Sequence, residues 1–198
     1  MKDWHLIIFF IKDLFISEVQ NQPSRSGRVP FLLAENGLDY AIVVGNPLYI
    51  GKMQTVLASF HDYTSSYDTA IVLLSDALEN FKMSNYILGE LNCHMELASI
   101  YAVTDNFEKS LYHGYEAREL STKQNDEVGV GMANVVIART MINSGRTEDA
   151  LAISIKARDI LSEHQDTNGL IRSLCNISDC HLLLEDYKQS ISASDEII

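Results

Sequence analysis

Leu97-Ala98-Ser99-Ile100-Tyr101, followed by Phe107-Glu108-Lys109-Ser110-Leu111, decides the fold, because altered copies stand 40 residues away on both sides. The small residue recurs as Ala58, Ala98, Ala138 and Ser178, and the apolar residue before it as Leu57, Leu97, Ile137 and Ile177. Further along, Tyr67, Phe107, Thr147 and Tyr187 keep the step, as do Ala70, Ser110, Ala150 and Ser190, and Ile71, Leu111, Leu151 and Ile191. A fixed period in this range signals a stacked-repeat architecture. One helix pair cannot bury its apolar stripe alone. Small residues let paired helices approach, and large ones fill the space between pairs.

The pattern predicts helices at 47–63, 67–82, 86–103, 107–123, 127–143, 147–163, 168–184 and 187–198, joined by short polar turns. Asn46 reads as an N-cap with Pro47 in the first turn. Asp105 with Glu108 has capping-box spacing, and Ser65 with Asp68 is similar. Gly89, Gly129 and Gly169 share the 40-residue step near helix starts; with no Lys-Ser or Lys-Thr after them they read as close-packing positions and not as a phosphate loop. Upstream, residues 31–45 read as a capping helix and residues 20–30 as a linker. Trp4, Ile8, Ile11, Phe15 and Val19 step by three and four, which predicts an amphipathic helix over 1–19 that packs on the repeats or pairs two copies of the chain. The apolar run there is too short to span a bilayer and lacks a cleavage site, so no transmembrane segment and no signal peptide are expected.

The 198 residues carry a net charge of −12, with 46% hydrophobic content. Such an acidic surface repels phosphate backbones and argues against nucleic acid as a partner. Three cysteines, Cys93, Cys175 and Cys180, form no CxxC, which fits a reducing, cytoplasmic setting. Asn176-Ile177-Ser178 matches a glycosylation sequon but falls inside a helical pattern. None of the six histidines makes a zinc spacing, and Cys180 and His181, adjacent on a helix, point about 100° apart, a poor nucleophile–base geometry. No metal, cofactor or catalytic residue is expected.

The rows resemble the tetratricopeptide repeat (TPR). His94, Leu97, Ala98 and Tyr101 match its first-helix pattern, and Phe107, Ser110, Leu111 and Ala117 its second. The other units supply Leu57, Ala58, His61, Tyr67, Ala70, Ile71 and Ala77; Ile137, Ala138, Met141, Ala150, Leu151 and Ala157; and Ile177, Ser178, His181, Tyr187, Ser190 and Ile191. The resemblance implies an all-α fold, a right-handed superhelix of antiparallel helix pairs (a TPR-like α-solenoid). Its four repeats fall at 46–85, 86–125, 126–165 and 166–198, the last incomplete. The units are longer than the usual length of about 34 residues and lack its closing proline. Long units of this kind resemble those of bacterial signalling proteins: the amino-terminal sensor regions of GGDEF-type diguanylate cyclases, peptide-sensing regulators and large ATP-dependent transcription activators. That implies a regulatory region with an effector domain beyond Ile198, or alternatively a free-standing dimeric adaptor.

In the TPR fold the first helices line the concave face. The family's inner positions map to Lys52, Thr55, Ser59 and Asp62; to Asn92, Met95, Ser99 and Val103; to Met132, Val135, Arg139 and Ile142; and to Arg172, Cys175, Asp179 and Leu182. The chaperone-tail clamp of Lys and Asn residues is not reproduced. The candidate groove is therefore Asn92, Met95, Ser99, Val103, Met132, Val135, Arg139, Ile142, Arg172 and Asp179, suited to an apolar helix or extended peptide. Arg139 and Arg172 either fix an acidic group of that ligand or pair with nearby carboxylates.

Overall fold

The computed structural model describes residues 28–196, with side chains from Phe31 onward. The helix expected at 1–19, and residues 20–27 of the expected linker, lie outside the described residues. The described chain is helical: α1 (Arg28–Val44), α2 (Pro47–Tyr63), α3 (Tyr67–Met83), α4 (Ile87–Val103), α5 (Phe107–Lys123), α6 (Glu127–Asn143), α7 (Thr147–Glu163), α8 (Thr167–Leu183) and α9 (Tyr187–Asp195). α1 begins three residues earlier than the sequence suggests, because Pro30 fits within a first helical turn.

Beneath the 40-residue repeat lies a 20-residue one. Helices α1 to α8 are each 17 residues long. A residue with positive φ recurs every 20 positions: Gly45, Ser65, Asn85, Asp105, Asn125, Gly145, Gln165 and Glu185, at 51° to 78°. All but Asp105 make both bonds of a Schellman motif. After α2, Ser65 N–H donates to Asp62 O at 2.9 Å and Ser66 N–H to His61 O at 2.7 Å; after α6, Gly145 N–H donates to Ile142 O at 3.0 Å and Arg146 N–H to Met141 O at 2.8 Å. The residue after each of these is the N-cap position of the next helix. Asn46, Asn106, Asp126 and Asp186 accept from Tyr49, Lys109, Gly129 and Gln189 N–H through their side chains. The capping boxes expected at Ser65 and Asp105 do not form. Those residues occupy the left-handed position, and the cap moves one place on, to Ser66 and Asn106.

The described chain divides into two compact units that meet between Cys93 and His94 in sequence, residues 28–93 and 94–196. In the first, α1 lays Ala34 against Met53, Val56 and Leu57, with Phe31, Leu38 and Leu73 around them. Phe81 fills the space beside Gly89, where a Cβ would come within 2.6 Å of its ring. The second unit holds two clusters. Ile137, Met141, Ala150 and Cys180 pack with Leu111, Ile142, Leu151 and Ile153; Val135, Ala157 and Leu161 pack with Val128, Met132 and Leu170. Gly169 is a close-packing position here too, since a Cβ would meet Leu161 and Met132, both at 2.8 Å.

The small-residue rows meet between paired helices. Ala58 and Ala70 are fully buried in the first unit, and Ala98, Ser110, Ala138 and Ala150 in the second. Where serine replaces alanine, its hydroxyl bonds across the pair. Ser110 Oγ donates to Ala98 O at 2.7 Å, and Ser178 Oγ to Ser190 O at 3.1 Å.

Candidate binding surface

In the second unit α4, α6 and α8 stand side by side, tied by two asparagine amides that each reach 41 residues back along the chain. Asn143 Nδ2 donates to Ala102 O at 3.5 Å, and the buried Asn176 Nδ2 to Val135 O at 2.9 Å. The Asn176 amide uses the second lone pair of a carbonyl inside α6, and the Asn143 amide reaches a carbonyl in the last turn of α4. Neither tie is visible in the apolar rows, so neither was expected from the sequence.

Of the ten expected groove residues, Val135 is not at the surface. Val135 is buried and belongs to the core with Ala157 and Leu161, which removes it from any binding face. The cause is local: Gly131 lets Leu161 approach, and Asn176 draws α8 onto the Val135 carbonyl. Asn92 is exposed but belongs to the first unit. The remaining eight lie in the second unit. Met95, Met132 and Ile142 are half-buried, the latter two against the core clusters. Ser99 is exposed, as are Val103 on α4 at 62% and Leu182 on α8 at 53%.

Charge on this face is divided. Arg139 Nη1 meets Asp179 Oδ2 at 2.6 Å, so the pairing alternative holds for Arg139. Arg172 is exposed and has no hydrogen bond or ion pair among the described residues. Lys52 of the first unit lies over the Tyr86 ring at 5.0 Å.

Beneath the ion pair, Cys180 is fully buried. Burial pushes its thiol up to about 11, the Asp179 carboxylate adds to the rise, and Arg139 opposes it. A thiol held protonated in this way is a packing group and a poor nucleophile. His181 Nδ1 stands 3.9 Å from Asp186, at the turn. Among the described residues no group of three or more His, Cys, Asp or Glu side chains is placed to hold a metal ion, and no helix is long and apolar enough to cross a membrane.

Helices of uniform length, Schellman turns and small-residue rows between paired helices define an all-α, TPR-like helical-repeat fold. Among solved structures the chain is similar to BtubC (BKLC) from P. vanneervenii, with a TM-score of 0.80 and 16% identity over 98% of this chain and 81% of that one. It is similar to the apo form of RapI, with a TM-score of 0.78 and 15% identity over 98% of this chain and 68% of that one. It is also similar to a Podospora anserina protein described as a kinesin light chain with nearly identical TPR-like repeats, with a TM-score of 0.70 and 10% identity over the whole of this chain and 95% of that one. No family model matches the chain, and no curated protein matches it.

Proposed function

We propose that the second unit is a non-catalytic module that binds a protein or peptide segment across α4, α6 and α8. The observation that carries this is the presence of exposed aliphatic side chains, Val103 on α4 and Leu182 on α8, together with Arg172, a cation with no ion pair or hydrogen bond among the described residues, on helices whose backbones are braced together. Apolar side chains of the ligand rest on Val103, Leu182 and the half-buried Met95, Met132 and Ile142, and an acidic group meets Arg172. The resemblance of the long units to bacterial signalling proteins supports a finer reading: a cytoplasmic regulatory region of a signal-transduction protein, GGDEF-type diguanylate cyclases being the leading comparison.

Selection of a displayed random-peptide library on the full chain tests the binding surface. The expected result is a set of peptides that bind the wild type and lose at least tenfold in affinity, about 1.4 kcal/mol, on Val103→Glu or Arg172→Glu. Selected peptides that bind both variants as well as the wild type would place the site elsewhere.

A further inference from the structure

Helix α1 stands 40 residues before α3 and so has the place of the second helix of a pair. On later second helices, two of its rows make the contact with the first helix of the same pair. In the row of Leu33, Leu73 of α3 packs beside Met53 and Leu57 of α2, His113 Nδ1 of α5 lies 2.9 Å from His94 Nδ1 of α4, and Ile153 of α7 packs with Ile137 and Met141 of α6. In the row of Tyr40, Asn80 Nδ2 of α3 donates to Gln54 Oε1 of α2 at 3.0 Å.

On α1 these two rows are apolar and exposed. Leu32, Val43 and Val44 widen them into one stripe, with Val43 84% exposed. At 3.6 residues per turn the five side chains fall within about 120° of the helix circumference. A contiguous apolar stripe of this kind marks an interface.

Register and chain order point to its occupant. In each later pair the first helix comes directly before the second. The sequence directly before α1 holds Trp4, Ile8, Ile11, Phe15 and Val19 at helical spacing, and residues 20–27 connect them to α1. Connections of about 2–8 residues join antiparallel helices. The stripe from Trp4 to Val19 would span about 22 Å as a helix, and that from Leu32 to Val44 spans about 18 Å, so the two match in length.

We propose that residues 4–19 dock as a helix on this face of α1, antiparallel to it, and complete a pair ahead of the first regular repeat. The hairpin sets Phe15 and Val19 toward Leu32 and Leu33, and Trp4 toward Val43 and Val44. This pair has its own offset. The regular spacing would put Ser17 and Glu18 in the places of Leu57 and Ala58, and the longer connection moves them away from the contact.

Trp4 is the one tryptophan of the chain, so its fluorescence reads that end of the hairpin directly. In the full chain its emission should be blue-shifted and its quenching by acrylamide slower than in the urea-unfolded chain, and dilution should change neither. Val43→Asp places a carboxylate against the indole and should abolish the protection. Leu32→Asp, at the far end of the stripe, should weaken it as well, because the segment docks as one helix. Val72→Asp, at the exposed position of α3 in the row of Leu32, should leave it intact. Circular dichroism of each variant checks that the remaining helices are folded. A Trp4 quenched as freely as in the unfolded chain would overturn the proposal. Protection that survives both Val43→Asp and Leu32→Asp, or that Val72→Asp removes equally, would place the indole elsewhere and overturn it too. Protection lost on dilution would give the face to a second copy of the chain instead.

Discussion

Arg139 and Asp179 occupy the same register position in successive repeats, 40 residues apart, and their side chains meet at 2.6 Å. The repeat thus does more than stack apolar rows. It brings equivalent positions of neighbouring first helices within reach, so a difference in side chain between repeats becomes a contact.

The pair is half-exposed on both sides, 42% and 43%. Solvent therefore screens it, and the coupling measured by a double-mutant cycle on Arg139→Ala and Asp179→Ala should be about 0.5–1 kcal/mol in urea unfolding. The exchanged pair R139D/D179R should recover most of that coupling. A value well above 2 kcal/mol would mean that the carboxylate is held in a drier setting than its exposure indicates.

The left-handed turn positions give a second test. Gln165 and Glu185 sit at φ of 57° and 62°, where an L side chain costs about 1–2 kcal/mol. Glycine removes that cost and gives back roughly 0.5–1 kcal/mol through the entropy of the unfolded chain. Gln165→Gly and Glu185→Gly should each stabilise by about 0.5–1 kcal/mol in thermal or urea unfolding. Asn125→Gly should change little, because asparagine tolerates this region. Gly145→Val should destabilise by more than about 1 kcal/mol, since φ there is 78° and a β-branched residue cannot adopt it cheaply.

Those turns also explain what the sequence could and could not reveal. The 40-residue period was legible because first and second helices carry different residues in their buried rows, Leu-Ala in one and Ala-Ile or Ser-Leu in the other. The 20-residue period was not. It resides in the backbone, and the residues that mark it (Gly, Ser, Asn, Asp, Gln and Glu) share no side-chain chemistry. Val135 shows the same limit at the candidate site. Its row also holds Thr55, Met95 and Cys175, all half-buried, and only the approach of Leu161 beside Gly131 and the reach of Asn176 bury the third member. Which carbonyl an asparagine will find across a helix pair is a matter of a few tenths of an ångström. A row of residue types does not contain it.

Asn176 makes that point measurable. It is 1% exposed, and its row carries Val56 and Val136 in other repeats. Asn176→Ala removes a buried hydrogen bond and leaves a cavity, and should cost about 2–3 kcal/mol. Asn176→Val fills the space with the residue its row already uses. It leaves the Val135 carbonyl with its helical partner, so it should cost about 1 kcal/mol or less. Equal losses would show that the amide bond, and not the packing, holds α8 to α6.

Cys180 reports the same region through pH. Its thiol lies well above the ordinary value of 9.0, at about 11, chiefly because it is buried. The folded chain therefore keeps this proton after the unfolded chain has lost it. The stability linked to it is full below pH 9.0 and is lost as pH rises through about 11. Urea unfolding of the wild type should fall more steeply across that window than unfolding of Cys180→Ala, so the two curves converge as pH increases. Parallel curves would mean that the thiol is no more protected folded than unfolded. The ion pair above it supplies a control of opposite signs. Asp179→Asn removes the carboxylate that raises the thiol and leaves Arg139, so Cys180 alkylation should quicken. Arg139→Gln removes the opposing cation and should slow it.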